Sequence, residues 1–315
     1  MKANKQRGSD AMGQLLHMPA RIAAVAGVTL TQLIRMRLFA VLAVFAVGFL
    51  GLQFLPYQQN LGVEFQGIGQ LQLIKDVAIG CMRLFSMLFC VAATALLIPR
   101  DTEDRILYTI LCKPVPRFDY LAGKALGVLA LLGLMLLFMD ALMVGLLHLR
   151  EGTIAAELQE AMQAQGYHAE DISAIMQQVA EAGNTAEVQR SLMAMYLGFG
   201  VLTTLTLLIS CMTSGTIVSM IFALGAYFIG MFQTQLFQTI AAAGEAGTSA
   251  AGLWAERVFA ILLPDFSLFS VTDAASSSGA AEFTWALLGG LAIIAAAYML
   301  LHLLVATWIF AHKEF

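Results

Sequence analysis

Residues 191–244 read SLMAMYLGFGVLTTLTLLISCMTSGTIVSMIFALGAYFIGMFQTQLFQTIAAAG, without one Asp, Glu, Lys or Arg. About 20 apolar residues cross the hydrocarbon core of a bilayer as a helix, so the stretch is too long for one crossing. Its middle, Ser210–Thr216, is a Ser/Thr/Gly cluster of turn-forming composition. Two spans follow, about 192–209 and 217–232. Lipid offers no partner to a backbone N–H or C=O, which makes the helix the expected form. The alternating segments of about 10 residues that would build a membrane barrel are absent.

The same reading extends outward. Leu38–Val63 and Phe283–Ala311 are also free of charge. The chain is 59% hydrophobic and 12% charged, against about 25% charged in soluble domains. The expected fold class is all-α, a polytopic membrane protein with six spans: about 38–55, 77–98, 125–147, 192–209, 217–232 and 284–310. Pro56 and Pro99 are expected to stop the first two. Residues 1–37 form a tail and then an amphipathic helix from about Pro19 to Arg37. Ile22, Val25, Leu30, Leu33 and Ile34 fall near one face of it, with Arg21, Gln32 and Arg35 elsewhere. That pattern suits a helix lying in the membrane interface; a prolongation of span 1 is the alternative. No signal peptide is expected, because the first apolar run begins only at Leu38.

Lysine and arginine set the orientation. With the N-terminus inside, Lys2, Lys5, Arg7, Arg21, Arg35, Arg37, Arg100, Arg105, Lys113, Arg117, Lys124 and Lys313 lie inside. Lys75, Arg83, Arg150, Arg190 and Arg257 lie outside or on outer flanks. Both termini are therefore expected in the cytoplasm. Residues 150–190 become an external insertion of two short helices, Glu157–Gln165 and Glu170–Ala182, separated by Gly166. Val258–Val271 is apolar, too short to span, and broken by Pro264-Asp265. It reads as a re-entrant or interfacial segment, or as a loop packed on the bundle.

The densest charge lies between spans 2 and 3: residues 100–117 read RDTEDRILYTILCKPVPR, followed by Tyr120-Leu121-Ala122-Gly123-Lys124. Thr102–Leu111 has the pattern of a short amphipathic helix. Ile106, Leu107, Ile110 and Leu111 share a face, and acidic residues in the first turn suit the helix dipole. Pro114 and Pro116 stop it and stiffen the return to the membrane. This segment resembles the permease subunits of ABC-2-type (type V exporter-like) ABC transporters. The matching residues are Glu103, Thr109, Leu111, Pro114-Val115-Pro116-Arg117 and Gly123-Lys124. The basic helix before span 1, the short break before span 5, the apolar segment before span 6 and the His312-Lys313-Glu314-Phe315 end agree. The resemblance implies a coupling helix seated in a separate nucleotide-binding subunit, carried over to Glu103, Arg105, Thr109, Lys113 and Arg117. It also implies a dimer of permease subunits. The size of the 150–190 insertion departs from a minimal member.

No P-loop is present. The Gly-Lys pair Gly123-Lys124 precedes Ala125, and Phe118 stands where the first Gly of G-x-x-x-x-G-K-[ST] is needed. The resemblance then places ATP and Mg in a partner ATPase subunit, with no cofactor held by this chain. No catalytic triad, H-E-x-x-H or paired carboxylates occur, so no enzyme activity is expected. Cys81, Cys90, Cys112 and Cys211 lack C-x-x-C spacing, which indicates neither a zinc site nor a disulfide framework. No basic stripe indicates nucleic acid.

Arg83 and Asp140 are ionisable residues inside spans 2 and 3, a functional signal with a partner expected. At 1.5 Å per residue they lie ~9 and ~10 Å from the outer ends of their spans. The matched depth suggests an ion pair, either structural or on a substrate path; outward snorkelling of Arg83 is the alternative. Met135, Met139 and Met143 share a face of span 3 and read as packing. Gly215, Ser219 and Ala223 make a small-residue stripe, a seam for a permease dimer or for packing within one subunit. His302 reads as a hydrogen-bonded packing residue. A secondary transporter, a channel and a non-transporting membrane scaffold are the competing functions.

Overall fold

The computed structural model describes residues 18–36, 68–103, 116–164, 168–182, 186–213, 215–235, 263–270 and 284–312, with Gly166 and a few helical positions between 40 and 51. Among them every regular element is helical: α1 (Met18–Ile34), α2 (Ile68–Glu103), α3 (Arg117–Ala164), α4 (Ala169–Ala182), α5 (Ala186–Met212), α6 (Thr216–Met231), a single 3-10 turn (Phe266–Phe269) and α7 (Trp285–His312).

Four of these, α2, α3, α5 and α7, are long and apolar enough to cross a membrane. The chain thus has the architecture of an α-helical membrane protein. At 16 residues α6 is shorter than a full crossing, and most of the expected first span, 38–55, lies outside the described residues. Helix α5 packs against α2, α3, α6 and α7. Its apolar window is 72% buried against 17% for α7, so α5 forms the axis of the bundle and α7 its outer wall. Met135, Met139 and Met143 are buried in the core. The expected chain break between spans 4 and 5 falls at 213–215, where Gly215 caps α6.

Two helices run further than expected. Pro99 lies inside α2, which continues to Glu103. A proline removes one ladder donor and crowds the carbonyl four residues back, yet Asp101, two residues on, is anchored strongly enough to hold the helical course. Helix α3 spans 48 residues without a break, about 72 Å at 1.5 Å per residue, more than twice the ~30 Å hydrocarbon core. The first helix of the insertion is therefore not separate: the helix continues through 148–164, where Gly152 is the residue of lowest helix propensity. The turn at Gly166, with φ 76°, then reverses the chain into α4, a left-handed conformation that glycine adopts without a Cβ penalty.

Candidate functional site

The site is built at the end of the bundle where α2 leaves off and α3 begins, on either side of the charged segment. Asp101 is fully buried. Its Oδ2 pairs with Lys124 Nζ at 2.7 Å and accepts from the Tyr120 hydroxyl at 2.5 Å. Gln32 of α1 closes the set: its Nε2 donates to Asp101 Oδ1 at 3.4 Å, and its Oε1 accepts from Lys124 Nζ at 3.2 Å. Tyr120 and Lys124 are four residues apart on α3, so they share a face. Close by, Arg21 of α1 pairs with Asp119 at 2.7 Å.

Glycine lets α1 come close enough. A Cβ on Gly123 would stand 2.6 Å from Val25 Cβ, and one on Gly127 would stand 2.6 Å from Thr29 Cβ. The pair is a small-x-x-x-small notch that brings two helix backbones together. The outer wall is tied in as well. Tyr120 stacks on Phe310, with ring centroids 6.0 Å apart, and Arg117 Nη1 donates to the Ala311 carbonyl at 2.7 Å. Helices α1, α2, α3 and α7 are thus joined around the two ends of segment 104–115. A cavity of about 650 Å³ alongside is lined by Gly27, Thr31, Gln32, Arg35 and Arg100.

Buried charge is a poor stabiliser when compared with apolar packing, but removing one member of such a pair is costly. The network therefore fixes geometry: it permits one arrangement of three helix ends and resists others.

The expected residues distribute as follows. Glu103 is the last residue of α2. Arg105, Thr109 and Lys113 lie outside the described residues. Arg117 Nη1 reaches the Ala311 carbonyl near the end of α7. Asp140 accepts from Gln189 Nε2 at 3.0 Å and lines a cavity between α3 and α5, whereas Arg83 lines a different cavity with Tyr227 and Phe266. The depth match predicted contact from rise alone, which says nothing about the direction in which each side chain leaves its helix.

Ser219 and Ala223 are fully buried inside the chain, on a helix packed against α2 and α5. Ser219 Oγ donates to the Gly215 carbonyl at 3.0 Å and meets Thr213 Oγ1. Ser219 and Ala223 thus line a seam within the chain, while Gly215 stands at the open start of α6. The opposite face of α6, with Ile217, Ile221 and Phe222, is exposed.

Of Val258–Val271, the described part is 263–270. Phe266 and Phe269 are buried against Gly230 and Gly198, where an added Cβ would come within 2.6 and 2.7 Å of them. Asp265 caps the turn through the Ser267 amide at 2.9 Å and accepts from Thr234 at 2.5 Å. His302 is buried, with Nδ1 3.2 Å from Thr204 Oγ1, as a packing residue would be.

Sequence reasoning missed Asp101, Tyr120, Gln32, Arg21 and Asp119 as a set. The available signal was their position: carboxylates and cations at the very ends of apolar helices, all near one short segment. No family model matches the chain, and no curated protein matches it.

Proposed function

We propose that the chain is the transmembrane permease subunit of an ATP-driven ABC-2-type exporter, coupled to a separate nucleotide-binding subunit. The observation that supports this best is the buried Asp101–Lys124–Tyr120–Gln32 network. It joins α1, α2 and α3 at the base of the charged segment, so force applied to 104–116 moves three helices together. A solvated linker would need no such anchorage. Arg21, Arg35, Arg100, Arg117 and Lys124 all gather at this end, which by the positive-inside rule is the cytoplasmic one.

In this reading the protein sits in a bacterial plasma membrane with both termini in the cytoplasm and six spans, including 38–55 and α6. Two permease subunits associate with two ATPase subunits that bind ATP and Mg. Closure of the ATPases on nucleotide displaces Glu103, Arg105, Thr109, Lys113 and Arg117, and the rigid base carries that displacement into the bundle. The chain itself performs no catalysis.

The test is ATP hydrolysis in lipid by the complex purified with a candidate P-loop ATPase, for which a neighbouring reading frame is the first place to look. Exchanging the charges, Glu103→Arg with Arg105→Glu, should dissociate the complex or reduce its turnover. A complex that assembles and turns over unchanged removes the coupling role.

A further inference from the structure

Asp140 belongs to neither the ionic base nor the charged segment. Among the described residues its carboxylate accepts one hydrogen bond, from Gln189 Nε2 to Oδ1 at 3.0 Å, and Oδ2 is left for an occupant of the cavity. The carboxylate lines a cavity of about 330 Å³ between α3 and α5, walled by Leu136, Leu137, Leu192, Met193 and Tyr196. That volume is at the lower end of small-molecule sites. The cavity is open on its outer side, where Leu137 is 68% and Met193 49% exposed. Asp140 lies seven residues inward of Leu147, ~10 Å along the helix. Carboxylates at such depth are costly and mark the paths of ligands or ions.

Metal coordination does not fit, because no group of three or more potential ligand side chains occurs among the described residues. A neutral apolar ligand would leave Oδ2 without a partner. The occupant that satisfies both parts of the site carries one cationic N–H donor and an apolar tail. We propose that the Asp140 groove binds an amphiphile bearing a protonated amine, its ammonium donating to Asp140 Oδ2 and its tail lying along Leu137 and Met193. The site requires no ATPase, so it stands or falls separately from the coupling role.

Photo-crosslinking of the full chain in phosphatidylcholine nanodiscs tests it, using a diazirine-bearing dodecylamine and the matching dodecanol. The amine should label 133–140 and 189–196 about tenfold more than the alcohol, the scale of one charge-assisted hydrogen bond. Asp140→Asn should erase that preference. Leu137→Trp, on the exposed wall, should block labelling of the groove by filling it while leaving the polar pair intact. Suppression by unlabelled dodecylamine alone identifies a free amphiphilic amine, and suppression by phosphatidylethanolamine as well identifies a lipid headgroup. Equal labelling by amine and alcohol, a preference that survives Asp140→Asn, labelling that survives Leu137→Trp, or suppression by neither competitor overturns the proposal.

Discussion

Replacing Asp101 by asparagine would leave Lys124 buried beside a neutral group. Lys124 is 3% exposed and Asp101 fully buried, so water cannot take over the lost partner. Removing one member of a buried pair costs roughly 3–5 kcal/mol, and the Tyr120 hydroxyl and Gln32 amide lose a charged acceptor in the same step. Lys124→Met alone should cost a similar amount, because Asp101 is then the stranded charge. The double variant, Asp101→Asn with Lys124→Met, should be less destabilised than the sum of the singles by at least ~2 kcal/mol, since no charge remains buried. The protein supplies its own reporter. Cys81, Cys90 and Cys211 are buried thiols outside any disulfide, so a thiol-reactive fluorophore reports unfolding in detergent once Cys112 is replaced by serine. Single variants within ~1 kcal/mol of the parent, or a double variant as unstable as the sum, would refute the reasoning, since that is the scale of a solvent-exposed ion pair.

Other consequences follow from the packing. Gly127→Val should part α1 from α3, because even a first carbon meets Thr29 at 2.6 Å and the Ala26 carbonyl at 2.9 Å; a loss of about 1–3 kcal/mol and faster proteolysis near residue 20 are expected. Gly230→Ala should dislodge the Phe266 turn, whose ring and the Pro264 carbonyl both lie 2.6 Å from the new carbon; hydrogen exchange at 266–270 should rise. Spin labels at Gly145 and Ala161 should lie about 24 Å apart along one continuous α3 at 1.5 Å per residue; a broad, shorter distribution would mean a break near Gly152.

Much of the fold could be read from charge and hydropathy. Charge-free stretches located α5, α6 and α7, and the Ser/Thr/Gly cluster at 210–216 located the turn between α5 and α6. Helix ends were harder, because local signals lost to tertiary anchoring. Pro99 should have ended α2, but Asp101 is held by three side chains beyond it. The span-3 boundary at Leu147 followed polarity, whereas the backbone continues wherever no residue breaks it.

The site was legible only in part. Spacing showed that Tyr120 and Lys124 share a face, but their partner Gln32 is 92 residues from Lys124 in sequence, and no one-dimensional pattern supplies that pairing. Small-residue stripes mislead for the same reason. Spacing of Gly215, Ser219 and Ala223 does not say whose helix is packed, and here Ser219 and Ala223 are buried within the chain. Gly123 of the motif that suggested coupling forms, with Gly127 one turn on, the notch that admits α1.

The most direct measurement places a single cysteine at Thr109, with Cys112→Ser, and asks which side of the membrane it faces and what it touches. A membrane-impermeant maleimide should label it only after the cells are opened, and a short bifunctional reagent should join it to the ATPase subunit. Labelling in intact cells, or crosslinks that never include an ATPase, would contradict the proposed function.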